Sequence, residues 1–141
     1  MFKNLLLFLS LLLLSCSGDT LPKIEVKTLE GKRVYLSDYR GKKVLLYVWS
    51  RTCAGHSKDL GRLNQLTEEK RDYTIISYAV AMDVQDVISS YKELKLEPRF
   101  ITLVDTEVRL NDSFPITFLP STYIFDEKGR FIRSYPGLYV P

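Results

Sequence analysis

The run Val44-Leu45-Leu46-Tyr47-Val48-Trp49 constrains this chain more than any other feature. Six successive apolar residues rich in β-branched and aromatic types are too short for a buried helix and suit a strand. No face of that strand is left for water, so it belongs in the middle of a sheet covered on both sides. The neighbouring segments supply the covers. Ile24 to Thr28 alternates apolar and polar, Glu30-Gly31-Lys32 turns the chain, and Arg33 to Leu36 reads as a second strand. Ser37 to Gly41 is a tight polar turn. Beyond the apolar run, Leu60, Leu63 and Leu66 recur at helical spacing between Ala54 and Lys70, and Tyr73 to Met82 is another β-rich stretch. Val84, Val87, Ile88, Tyr91 and Leu94 fall on one helical face. Phe100 to Val104 reads as a strand and Thr106 to Asn111 as a helical turn. Thr122 to Phe125 and Phe131 to Tyr135 are joined by Asp126-Glu127-Lys128-Gly129-Arg130, a hairpin signal. The order β-β-β-α-β-α-β-α-β-β predicts an α/β sandwich around a central mixed sheet.

Composition narrows the function. A chain of 141 residues with 45% hydrophobic content makes one domain and is too apolar for disorder. Its net charge of +3 comes from interspersed signs without a basic stripe, which argues against a nucleic-acid partner. Two cysteines cannot staple a scaffold.

The first residues stand apart. Lys3 precedes a ten-residue run, Leu5 to Leu14, that only Ser10 interrupts. Crossing a bilayer takes roughly 20 apolar residues, so this run has the length of a secretory leader. Leu13-Leu14-Ser15-Cys16 resembles the cleavage box of bacterial lipoproteins, in which the cysteine sulfur is acylated. The expected division is a signal peptide over 1–15, a lipidated tether over 16–20 beginning at Cys16, and a domain over 21–141. An ordinary cleaved leader with Cys16 as a bystander thiol is the alternative.

Chemistry concentrates at Trp49-Ser50-Arg51-Thr52-Cys53-Ala54-Gly55-His56. Here a cysteine follows a buried strand where a helix begins. Free N–H groups and the positive dipole end of a helix favour an anion, so a thiol there is expected to ionise readily. The thiolate is the nucleophile of disulfide exchange. With the segment Val34-Tyr35-Leu36-Ser37-Asp38-Tyr39-Arg40-Gly41-Lys42, the step Val104-Asp105 and the block Leu119-Pro120-Ser121-Thr122-Tyr123-Ile124-Phe125-Asp126, this stretch resembles the TlpA/ResA-like branch of thioredoxin-fold, extracytoplasmic thiol-disulfide proteins. The resemblance spans most of the mature chain. It implies a thioredoxin-like sandwich, a catalytic Cys53, substrate contacts from Trp49, Leu119 and Pro120 with Pro120 cis, and protein thiols or disulfides of the periplasm as partners. It implies no cofactor and no metal.

The departures are specific. His56 stands where the family has its second cysteine, Thr52 replaces a tryptophan, and Tyr47 occupies the place of a buried proton-relay Asp in cytoplasmic thioredoxins. Three readings follow. Cys53 can act as a monothiol supported by His56. The pair can hold a soft metal such as Cu(I), with a thin ligand set. The site can instead have lost its chemistry and serve as a binding or scaffold module. Asp83 is a candidate acid/base group beside the site, or else the N-cap of the following helix. Trp49 is expected to lie half in the core and half on the rim of the site. Phe114, Phe118, Tyr123, Phe125 and Phe131 are expected in the core.

After the last hairpin only Leu138-Tyr139-Val140-Pro141 remain, where thioredoxin-like proteins carry a further helix. That C-terminal helix is expected to be missing, and the sheet face it covers to lie open for a second copy or another protein.

Overall fold

The computed structural model describes residues 19–51 and 55–141. The leader and Cys16 lie outside the described residues, as do Thr52, Cys53 and Ala54. Among the described residues no helix is long and apolar enough to cross a membrane.

Seven strands form one sheet: β1 (Glu25–Lys27), β2 (Arg33–Tyr35), β3 (Lys43–Trp49), β4 (Tyr73–Val80), β5 (Ile101–Asp105), β6 (Ser121–Phe125) and β7 (Phe131–Pro136). Their spatial order is β2-β1-β5-β4-β3-β6-β7. β3, β4 and β5 are mutually parallel, with Tyr47 beside Ser77 and Ser77 beside Thr102. β6 runs antiparallel to β3, β7 antiparallel to β6, and β1 antiparallel to both β2 and β5. Among the described residues three α-helices accompany the sheet: α1 (His56–Glu69), α2 (Val84–Glu93) and the single turn α3 (Leu110–Ser113). The polar turn expected after β2 is a 3-10 helix, Leu36–Tyr39. The mixed α/β sandwich is therefore the architecture the alternation predicts.

The apolar run splits by parity, as a doubly covered strand must. Leu45, Tyr47 and Trp49 face α1 and α2, and pack with Leu60, Leu63, Leu66, Val87 and Tyr91. Val44, Leu46 and Val48 face the other layer, built from Leu21, Leu36, Leu110 and Phe114.

No helix follows β7 among the described residues, yet the sheet face is not open. Leu45, Tyr47 and Trp49 are fully buried, and Ile124 keeps only 7% exposure. The tail returns across β6 and closes the layer. Gly137 N–H donates to the Pro120 carbonyl (2.8 Å), Thr122 Oγ1 donates to the Gly137 carbonyl (2.7 Å), and Tyr139 N–H donates back to Thr122 Oγ1 (3.0 Å). Leu138 packs on the core, and the Tyr135 and Tyr139 rings stack with centroids 3.6 Å apart. The expectation of a docking face over exposed central strands is thereby corrected.

Candidate active site

The carboxyl ends of the parallel strands β3, β4 and β5 gather at one end of the sheet, where chemistry collects in open α/β folds. Trp49 ends β3, Arg51 follows it, and α1 starts at His56 after Gly55. Gly55 takes φ of 78°, a left-handed backbone that a side chain would strain. Cys53, the expected nucleophile, lies between these landmarks in the sequence and outside the described residues. The structure therefore speaks for its surroundings.

The Trp49 indole is fully buried, not half on a rim. An indole N–H removed from water needs an acceptor, and Nε1 donates to Ser77 Oγ at 2.8 Å. The ring has two stacking neighbours. His56 stacks on it with centroids 5.2 Å apart and planes 13° from parallel, and Tyr91 stacks at 6.3 Å and 23°. The half-rim placement expected for Trp49 is thereby corrected: the indole belongs to the core, and the half-buried His56 lies against it.

His56 lines a cavity of about 350 Å³ with Arg51, Asp86, Ser89, Glu93 and Leu94. The Arg51 guanidinium pairs with the Asp86 carboxylate and ties the segment after β3 to α2. The Asp83 backbone N–H and then Arg51 hold the Asp86 carboxyl below the usual carboxylate range.

Asp83 is the N-cap of α2. Its carboxylate accepts from Asp86 N–H (2.8 Å), and Asp86 in turn accepts from Asp83 N–H (3.0 Å). Asp83 lines a different cavity, with Thr106 and Arg109, so it does not join His56. Leu119 and Pro120 are linked by a cis peptide bond, as the resemblance implied. Leu119 is exposed, and Phe118, expected in the core, is 63% exposed beside it. Its backbone explains this: the Phe118 carbonyl is held by Ser121 Oγ at the start of β6, which leaves the ring outside the strand alternation. Phe114, Tyr123 and Phe125 are buried as expected, and Phe131 packs against them.

Two features were not visible from spacing. Tyr47 O–H donates to Asp59 Oδ2 on α1 at 2.6 Å, which places a carboxylate under the active-site helix by way of a phenol. Ser77, Tyr91 and Thr102 form a buried chain of hydroxyls behind Trp49. Each residue reads alone as an ordinary strand or helix position. Among the described residues no three His, Cys, Asp or Glu side chains gather as metal ligands.

The chain is similar to known proteins. Residues 17–134 match the AhpC/TSA family. The thiol-disulfide oxidoreductase ResA of Bacillus thuringiensis subsp. konkukian is 24% identical over 120 residues, 85% of this chain and 69% of that protein. The thioredoxin-like protein YneN of Bacillus subtilis is 30% identical over 117 residues, covering 79% and 66%. Among solved structures, the exposed lipoprotein thioredoxin Etrx1 of Streptococcus pneumoniae superposes with a TM-score of 0.70 at 25% identity, over 84% of this chain and 92% of that one. Covering nearly the whole domain, the match and the fold agree: the chain belongs to the AhpC/TSA family, with a thioredoxin fold and a likeness to the ResA thiol-disulfide oxidoreductases.

Proposed function

We propose that the chain is a monothiol of thiol-disulfide exchange, with Cys53 as nucleophile and His56 as its supporting base, anchored outside the cytoplasm through acylated Cys16. The observation that carries this reading is His56 itself. It opens α1 three residues after Cys53, where the positive end of the helix dipole favours a thiolate, and Trp49 holds its ring by stacking. The similarity to ResA, a thiol-disulfide oxidoreductase, supports the reaction class. The leader, the cleavage box and the likeness to an exposed lipoprotein support the anchor.

In the first step the Cys53 thiolate attacks one sulfur of a partner disulfide, and the other sulfur leaves as a thiolate that takes up a proton. The mixed disulfide is then opened by a second thiolate from the partner or from another protein, because His56 stands where an internal resolving thiol would be. That thiolate bonds to the partner sulfur held by Cys53, and Cys53 leaves as a thiolate. The other sulfur of the original disulfide stays a thiol, so the net change is exchange of one disulfide for another without an external oxidant or reductant. Leu119 and Pro120, with exposed Phe118 next to them, form the apolar rim against which a partner backbone would lie.

Alkylation of Cys53 against pH, read by mass spectrometry on its own peptide, tests this. A midpoint well below the ~8.5 of a free thiol, raised in His56→Ala, is expected. A wild-type midpoint at or above the free value refutes the activated nucleophile.

A further inference from the structure

Behind the buried Trp49 runs a chain of three hydroxyls from β4 through α2 to β5. Trp49 Nε1–H donates to Ser77 Oγ on β4 (2.8 Å), Ser77 Oγ and Tyr91 OH on α2 lie 2.9 Å apart, and Tyr91 OH and Thr102 Oγ1 on β5 lie 2.9 Å apart. All four residues are buried, so each of these polar groups depends on its neighbour rather than on water. Ser77 sits in strand register beside Thr102, and Tyr91 reaches both from the helix above. The same Tyr91 ring stacks on the indole whose N–H its hydroxyl helps to fix. The ring plane and the N–H direction of Trp49 are thus set by one side chain, and His56 lies on that plane at 13° from parallel.

We propose that Tyr91 is a positioning residue of the active site: through the Ser77–Tyr91–Thr102 hydroxyl chain it fixes the Trp49 indole, and through the Trp49–His56 stack it fixes the imidazole that serves Cys53. Only the last link, to the thiol, rests on the function proposed above. The arrangement reaches across three strands and a helix for a single N–H that one serine could have satisfied alone. A ring free to tilt would carry the His56 imidazole with it, whereas a ring held at both its N–H and its outer face cannot. Burial pushes the Tyr91 hydroxyl up to about 12, so its own ionisation stays out of the readout at lower pH.

The chain has one tryptophan and one histidine, which makes the experiment clean. A protonated imidazole stacked on an indole quenches its emission by accepting an excited-state electron, so emission of the full-length protein against pH reports the stack. Arg51, Asp86 and Glu93 share the cavity with His56, and Asp59 lies one turn along α1. His56→Ala is therefore the blank for their contributions. In Tyr91→Phe, which keeps the ring and its packing, the pH-dependent emission change should fall at least two-fold. Thr102→Val, one hydroxyl further away and nearly isosteric, should lower it by less. Wild-type amplitude in both variants overturns the proposal, even if their melting temperatures fall, because a merely structural role moves melting alone. Cys53 alkylation in Tyr91→Phe should shift toward the His56→Ala profile. If wild-type alkylation proves indifferent to His56, the proposed function fails, while the emission arm still decides the role of Tyr91.

Discussion

Tyr47 shows how a single residue is repurposed by its surroundings. Its ring belongs to the core between β3 and α1, and its hydroxyl meets the part-buried Asp59 at 2.6 Å. A hydrogen bond to an ionised carboxylate is worth about 1.5–3 kcal/mol, and removing the donor leaves the charge under-solvated. Tyr47→Phe should therefore lower stability by roughly that amount, read as a lower urea midpoint with unchanged slope. Asp59→Asn keeps an oxygen acceptor and should cost less than half as much; equal losses would show that the carboxylate charge supplies the whole of the bond. The sequence announces Tyr47 as core but does not announce Asp59, because the pairing crosses from strand to helix with no local spacing to mark it. The same limit applies to Ser77 and Thr102, small polar residues in β-rich runs that read only as strand. Trp49 was misplaced on the rim for a related reason: its N–H acceptor lies 28 residues away, out of reach of any pattern.

At the level of elements, Asp83 separates capping from catalysis. The reciprocal pair with Asp86 is a capping box, and Asp86 also holds Arg51. Asp83→Ala removes one acceptor from the first turn of α2 and should cost about 0.5–2 kcal/mol. The Cys53 alkylation profile should stay in place, since Asp83 faces a different cavity from His56; a profile moved as far as by His56→Ala would return Asp83 to the acid/base role. Asp86 makes the stability loss pH-dependent. Its folded carboxyl is held below its unfolded value, so the stability it contributes is present above the unfolded range near ~4 and lost as pH falls through the folded value. Element order and strand assignment were legible throughout, because apolar periodicity and turn residues are local signals. Boundaries differ by up to four residues: the helix expected from Ala54 to Lys70 is described from His56 to Glu69, and the turn expected over Thr106 to Asn111 forms at Leu110–Ser113. Asp105 accounts for the second shift. Its buried carboxylate takes the N–H groups of Arg109 and Leu110, holding the start of α3 past the point that sequence alone suggests.

The two layers over the sheet each bury a tyrosine, and this gives the whole molecule an alkaline limit. Tyr78 lies on the face covered by α3, where burial and then the Asp105 carboxylate it donates to (2.7 Å) push its hydroxyl far above the ordinary tyrosine range. Tyr91 lies on the opposite face, raised to about 12 by burial. In the unfolded chain both ionise near ~10. The stability these protons contribute is complete below that pH and drains as pH rises toward the folded values, at up to about 1.4 kcal/mol per pH unit for each group. Urea midpoints should thus hold level to about pH 9 and then fall, with Tyr78 and Tyr91 each adding up to one proton to the slope. Tyr78→Phe should start from a lower plateau, since Asp105 loses its phenol donor, and then fall less steeply because one proton no longer titrates. Tyrosinate absorbance gives the independent check among the nine tyrosines. The exposed Tyr139, though Tyr135 raises its hydroxyl, should ionise while the protein is folded, and Tyr78 and Tyr91 only in the step that unfolds it. Because they sit on opposite faces of one sheet, their appearance in a single step would also mean that the two layers unfold as one unit. Ionisation of all nine in one reversible wave near ~10, with the fold intact, would refute both the burial argument and this coupling.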